Sequence, residues 1–309
     1  MSESITNPPV SSLIQPGTLW ERTQQTTKLA RECGTLKSIK TEYQLIEQDD
    51  ICFVVRTKGN LKRKEQAKQE HNKKEKKTGK RCDPFLPYEP DMFVGDISSS
   101  HICLLNKFNV VDNHLLIVTR AFEEQTDLLN LADFTALCSC LQEIDGLAFF
   151  NGGKAAGASQ QHKHLQLIPL PFMADVIHLP IKKAIAKIVF QDSFGLIDSF
   201  SFRHQVAKLD LSLKYSPQQA AEIMLEQYHA LLDKLSLADD AATKQSGAYN
   251  FLATREWMLI VPRSQDSFKT IPINSLGFAG SLFVRDLHSL ELLKKLTPLK
   301  LLEKVAFTN

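Results

Sequence analysis

Apolar and polar positions divide the chain into stretches of distinct character. Pro16 to Cys33 (PGTLWERTQQTTKLAREC), with proline at its front and Gly34 just past its end, reads as a first helix. Two β-rich runs follow, TEYQLIEQ (41–48) and ICFVVR (51–56), joined by Asp49-Asp50 as a hairpin. From residue 101 the pattern becomes regular: strand HICLLN, link KFNVVDN, strand HLLIVTR, then a helix over about 131–146. That helix carries Leu131, Phe134, Leu137, Leu141 and Ile144 at helical spacing. Strand LAFFN leads through the loop GGKAAGASQQ into strand HKHLQLIPL (162–170). Short links with a single helix before LAFFN predict an α+β fold, an antiparallel sheet with helices on one face. After a weakly patterned 175–215, a helix at 217–235 precedes YNFLAT and WMLIVPR. LLIVTR (115–120) and MLIVPR (258–263) are both apolar runs ending in Arg, which predicts two related halves, the first alone keeping the histidines.

One stretch breaks the pattern. Lys58 to Arg81 holds eleven Lys or Arg, three Glu and almost no apolar residue. It reads as a solvated loop or as a basic flap over a polyanionic ligand, with Lys58, at the strand end, the better phosphate contact. DPFLPYEPDMFV (83–94) follows, an aromatic, proline-punctuated segment fit either for surface packing or for the wall of a flat-ring pocket.

Charge and composition narrow the picture. With 309 residues, 43% hydrophobic, the chain can build one large or two modest cores, which excludes a disulfide miniprotein, a fibre and a disordered tail. The net charge of +2 gives no whole-protein argument for nucleic acid or membrane, so any anion site is local. No apolar run approaches the ~20 residues of a membrane helix. MSESITNPPV has neither the basic nor the apolar region of a secretory signal. The six cysteines form no CxxC pair, so the expectation is reduced thiols in the cytoplasm.

The chemistry gathers around two histidines. On a strand, His162, His164 and Gln166 share one face while Lys163, Leu165 and Leu167 turn away. Just upstream, NGGKAAGASQQ has the small residues of a loop whose backbone N–H groups cradle an anion. A nest that holds a phosphate beside a neutral imidazole points to nucleophilic attack on phosphorus. A metal site is the competing reading, but HxH gives only two ligands, with no Cys or carboxylate at ligand spacing. Purely structural histidines are the third.

NGGKAAGASQQHKHLQLIP resembles the signature of the histidine-triad superfamily, and LLNKFNVVDNHLLIVTR resembles its strand pair, in which Asn106 and His114 flank the nucleotide. The third triad position is Gln166 rather than His, as in the nucleotidyltransferase branch. DPFLPYEPDMFV, NKFNVVDNHLLIVTRAFEEQ, YNFLATREWMLIVPRSQ and INSLGFAGSLFVRD together resemble the ATP adenylyltransferase family, the diadenosine tetraphosphate phosphorylases, from about Cys52 to Arg285. The resemblance implies a histidine-triad-like catalytic region at 1–200, with the basic insert at 58–81, and a C-terminal region at 201–309 that completes the substrate site.

It further implies reversible phosphorolysis of diadenosine tetraphosphate to ADP and ATP. His164 would carry an AMP intermediate, His162 and His114 would orient its ring, and Gln166 would hold a phosphate oxygen. By the same likeness Gly157, Ala158, Ser159 and Gln160 form the phosphate cradle, Asn151 reaches the α-phosphate and Lys58 another phosphate. Met92 and Phe93 line the adenine pocket; Asn274, Ser275, Leu276, Ser281 and Arg285 reach the distal part of the substrate. Sulfate in place of phosphate would be a side activity. No cofactor is required, though magnesium suits the substrate phosphates. The implied partners are nucleotides and phosphate, with neither nucleic acid nor membrane, on a monomer or weak dimer. A uridylyl transferase acting on sugar phosphates, or a nucleotide sensor in which His164 is idle, are the alternatives. The HKH centre and INSLGFAGSLF tell against the uridylyl transferase.

Overall fold

Asp49 and Asp50 both take positive φ, 47° and 65°. Two such residues in succession make a turn whose twist matches the strands it joins. They close the expected hairpin between β1 (Thr41–Gln48) and β2 (Ile51–Lys58), which pair without interruption from Gln48–Ile51 to Thr41–Lys58. The hairpin follows α1 (Leu19–Glu32), beyond which Gly34 takes φ 72° and lets the chain turn away. The computed structural model describes residues 13–58, 83–173, 176–211, 213–238 and 243–308. The basic stretch 58–81 lies outside the described residues except for the Lys58 backbone.

The next strands are β3 (Phe93–Asp96), β4 (His101–Leu105) and β5 (Leu115–Thr119), followed by α2 (Leu131–Glu143). Asn130 and Asp133 start α2 with reciprocal side-chain-to-backbone bonds, and it ends where Ile144 turns extended. Then come β6 (Gly146–Gly152), β7 (His164–Pro169), α3 (Lys182–Ala186), β8 (Phe194–Gly195) and β9 (Gln205–Lys208). α4 (Pro217–Lys234) begins on a second capping box, Ser216 with Gln219, and has proline in its first turn. The chain finishes with β10 (Tyr249–Ala253), β11 (Trp257–Pro262), β12 (Ser267–Phe268), β13 (Ile271–Pro272), α5 (Ser275–Phe278), β14 (Ser281–Val284), α6 (Leu287–Leu296) and α7 (Pro298–Glu303).

Nine strands form one antiparallel sheet in the order β3-β4-β5-β7-β6-β10-β11-β9-β8. Its connectivity repeats. From the outside inward, β4-β5-β7-β6 with α2 between β5 and β6 mirrors β8-β9-β11-β10 with α4 between β9 and β10, and the halves join along β6 and β10. LLIVTR, however, is β5 and MLIVPR lies in β11, whose counterpart is the histidine strand β7. The sequence likeness therefore joins strands that do not correspond. β5 and β11 share the apolar run because each is fully buried. The boundary expected near residue 200 falls between β8 and β9, neighbours in this sheet.

Helices were expected on one face only, and this is corrected. α2 and α4 cover one face, packing Phe134, Leu137 and Leu231 on Tyr249 and Phe251. The other face is buried as well, under a small sheet in which β14 runs parallel to β2, together with α5, α6 and α7. The reason is visible in the inner strands: LLIVT and WMLIVP are apolar at successive positions, as two-sided burial requires. Among the described residues no helix is long and apolar enough to cross a membrane. The second face leaves one large opening, above β5, β7 and β6.

Candidate active site

His164 opens β7, and His162 stands two residues before it in an isolated bridge with Glu124. The predicted alternation still holds. Lys163 points to the opposite face, where its ammonium meets Asp133 at 2.6 Å, Glu123 at 3.0 Å and the Leu128 carbonyl at 2.9 Å. Burial opposes the charge on Asp133, but bonds from His101 and Lys163 hold its carboxyl below the usual range. This satisfied pair clamps the histidine segment from behind.

His164 is 6% exposed. Its backbone N–H donates to Gln125 Oε1 at 2.9 Å, and its ring Nδ1 lies 2.8 Å from the His162 carbonyl. A carbonyl only accepts, so the ring proton sits on Nδ1 and the Nε2 lone pair faces the opening. Burial, opposed by that carbonyl bond, pushes the imidazole down to about 4. The ring is therefore neutral and nucleophilic at physiological pH, and Phe85 covers it with ring centroids 4.9 Å apart.

The rings expected to orient His164 are engaged elsewhere. His162 is held by Asp83 at 2.7 Å and by the Thr119 hydroxyl and carbonyl at 2.9 and 2.8 Å, so it orients the nucleophile through its backbone carbonyl. His114 accepts from Asn106 Nδ2 at 3.2 Å and donates from Nε2 to Gln166 Oε1 at 3.0 Å. With its oxygen thus occupied, Gln166 turns its NH₂ to the opening.

The loop between β6 and β7 makes a short 3₁₀ turn, Lys154–Ala156, flanked by Gly153 and Gly157 at φ 87° and 89°. A Cβ on Gly157 would lie 2.7 Å from the Ile273 carbonyl, so the loop packs on the backbone before α5 only because this residue is glycine. All four residues expected to form the cradle, Gly157, Ala158, Ser159 and Gln160, lie along the cleft, but their N–H groups differ in how they are engaged. The N–H groups of Gly157 and Ala158 close the turn on Lys154 and Gly153 at 2.9 and 3.2 Å. The N–H groups of Ser159 and Gln160 make no such bond among the described residues. Asn151 Oδ1 accepts from Asn250 Nδ2, the Ser275 N–H and the Ser275 hydroxyl at 2.9, 2.9 and 2.8 Å, leaving Asn151 Nδ2 toward the opening.

These groups line a cleft of about 670 Å³, within the range of small-molecule sites. Phe85, Tyr88 and Met92 form one wall; Asn274, Leu276, Ser281 and Arg285 line the far end with Lys269. Phe93 stands behind the wall, stacked on Tyr88 at 4.5 Å and 8°. Ser275 is turned away from the cleft, with its hydroxyl also on the Phe150 carbonyl. The Lys58 side chain lies outside the described residues. Sequence reasoning missed Asp83, Gln125, Asn250 and Arg263. Only Arg263 carried a signal, as a cation ending an apolar strand.

A buried neutral imidazole, its Nε2 turned to the cleft, thus stands among amide groups beside an aromatic wall. Residues 9–187 match the Ap4A phosphorylase N-terminal domain and residues 198–308 the ATP adenylyltransferase C-terminal domain. Diadenosine 5',5'''-P1,P4-tetraphosphate phosphorylase 2 of Saccharomyces cerevisiae is 31% identical over 237 residues, 68% of this chain and 70% of the relative. The crystal structure of yeast Ap4A phosphorylase Apa2 in complex with AMP superposes with TM-score 0.77 at 25% identity, covering 96% and 98% of the two chains. The complex of Apa2 with Ap4A gives 0.76 at 24%, covering 96% and 99%. The chain belongs to the Ap4A phosphorylase family and is a nucleotidyltransferase.

Proposed function

We propose that this protein splits diadenosine tetraphosphate with inorganic phosphate into ATP and ADP, through an adenylyl group carried on His164. His164 Nε2 attacks the α-phosphorus; the bond from that phosphorus to its bridging oxygen breaks and ATP leaves. An oxygen of inorganic phosphate then attacks the same phosphorus, the N–P bond breaks, ADP leaves and the neutral ring is restored. Covalent catalysis divides one difficult displacement into two easier ones. The observation that carries this reading is the Nδ1 bond to the His162 carbonyl, which aims a neutral Nε2 at the cleft.

The Gln166 amide, the Ser159 and Gln160 N–H groups, the Ser159 hydroxyl and Asn151 Nδ2 would hold the α-phosphate oxygens as charge shifts among them. Phe85, Tyr88 and Met92 would take the adenine; Lys58, Asn274, Leu276, Ser281 and Arg285 would serve the remaining phosphates and the distal nucleoside. The same second step accepts sulfate, giving ADP-sulfurylase side activity. Five described cysteines, all free thiols, support a reducing compartment such as the cytoplasm.

Incubating the protein with diadenosine tetraphosphate and separating the products tests this. ATP and ADP in equal amounts, only when phosphate is added, is the expected result; AMP with ATP regardless of phosphate would overturn it. The pH dependence follows from His164. A histidine of ordinary pKa is about 3% neutral at pH 5, whereas a ring at about 4 stays mostly neutral there. Single-turnover adenylylation should change less than threefold between pH 7 and 5, where an unperturbed histidine would lose about 25-fold. Stability moves the other way. His164 and His204 both sit near 4 when folded, so the unfolded chain binds more protons from pH 6.5 downward and melting temperature falls across that window.

A further inference from the structure

Asn151 and Asn250 sit directly opposite each other where the two halves of the sheet meet. Asn250 is fully buried and engaged at both ends. Its Nδ2 donates to Asn151 Oδ1 at 2.9 Å and to the Ala156 carbonyl at 2.8 Å, while its Oδ1 accepts from Arg263 Nη1. Arg263 is 2% exposed and its remaining donors reach backbone oxygens of Val305, Gln265 and Ile273 at 3.0, 2.7 and 3.1 Å.

The direction of these bonds matters. A guanidinium has donors only, so the group facing Arg263 must be the Asn250 oxygen. That forces the Asn250 NH₂ toward Asn151, which answers with its own oxygen, and the Asn151 NH₂ is left for the cleft. The Ser275 backbone N–H at 2.9 Å reinforces the same orientation, and the Ser275 hydroxyl adds to it with a single proton shared between Asn151 Oδ1 and the Phe150 carbonyl.

We propose that Arg263 and Asn250 are positioning residues, a relay that fixes which end of the Asn151 amide meets the α-phosphate. Resting on the function proposed above, this gives the C-terminal half, which has no counterpart of the His162 and His164 pair, a part in the reaction and makes Ser275 a support of Asn151 rather than a substrate contact. Without the relay the amide can turn its oxygen to the phosphate, and an attractive contact becomes a repulsive one.

Asn250→Asp separates this role from a merely structural one. The carboxylate still accepts from Arg263 and gains a charge partner there, which offsets the lost bond to the Ala156 carbonyl, but it can no longer donate to Asn151, which must flip to donate to it. The expected result is a melting temperature within a few degrees of wild type, a fall in kcat of about 100-fold and a change in KM for diadenosine tetraphosphate below threefold. Ser275→Ala removes the hydroxyl whose proton Asn151 Oδ1 shares with the Phe150 carbonyl and should lower kcat about tenfold, again with KM held. A folded Asn250→Asp protein with wild-type kcat overturns the relay. Should that variant not fold, Ser275→Ala decides: a wild-type kcat, or a loss confined to KM, overturns it. A wild-type protein without phosphorolysis overturns instead the reading on which the relay rests.

Discussion

Replacing His164 with alanine is expected to lower phosphorolysis by about 10⁴-fold or more while nucleotide binding stays close to wild type. The change removes the atom that forms the covalent bond, and among the described residues neither neighbouring imidazole replaces it: His162 is locked between Asp83 and Thr119, and His114 between Asn106 and Gln166. The donors that hold phosphate stand on other residues or on the backbone and remain. The backbone of residue 164 stays anchored to Gln125. The His162 carbonyl loses its partner, at about 1–3 kcal/mol, too little to unfold a domain of this size. Two measurements check this: turnover by product chromatography, and label on the protein after mixing with α-labelled substrate in the absence of phosphate. The wild type should retain an acid-labile, alkali-stable adenylyl group, and the variant none. Turnover above about one hundredth of wild type would overturn the assignment of His164 as nucleophile.

What was legible in the sequence was whatever depends on near neighbours. The His162, His164 and Gln166 alternation is a property of extended chain, the Asp49-Asp50 turn of two adjacent residues, and the two main helices of apolar spacing and capping side chains. The site's donors were legible in kind but not in direction. That the Gly157 N–H closes its own turn follows from how the loop folds back over Gly153 and Lys154. Least legible was what sheet pairing brings together. Asn250 lies 99 residues from Asn151, and Asp83 lies 79 from His162; neither stands in a motif that names its partner. The misplaced repeat has the same origin: apolar runs identify buried strands, but only pairing order shows that β11 answers to β7.

The second large effect belongs to Gln166. Its Oε1 accepts from His114 Nε2 at 3.0 Å, so only its NH₂ faces the cleft. Gln166→Glu keeps the shape and the bond from His114, since a carboxylate oxygen accepts as well as an amide oxygen does. What changes is the other end, where two N–H donors become a negative oxygen facing the phosphates. Losing a preorganised donor costs about 10²–10³ in rate. Repulsion between unit charges about 4 Å apart adds between ~1 kcal/mol in water and ~4 kcal/mol in a partly buried site. Together these predict a fall in kcat/KM of about 10³-fold or more. The residual reaction should also change character. Inorganic phosphate is an anion and is repelled from the adenylyl-histidine by the introduced carboxylate, whereas water is not, so the proportion of AMP among the products should rise relative to ADP. An effect within tenfold of wild type, or an unchanged AMP-to-ADP ratio, would show that Gln166 does not face the phosphates. The opposite result would give this amide two tasks: drawing the α-phosphate oxygens toward His164 and keeping the site open to an anionic acceptor.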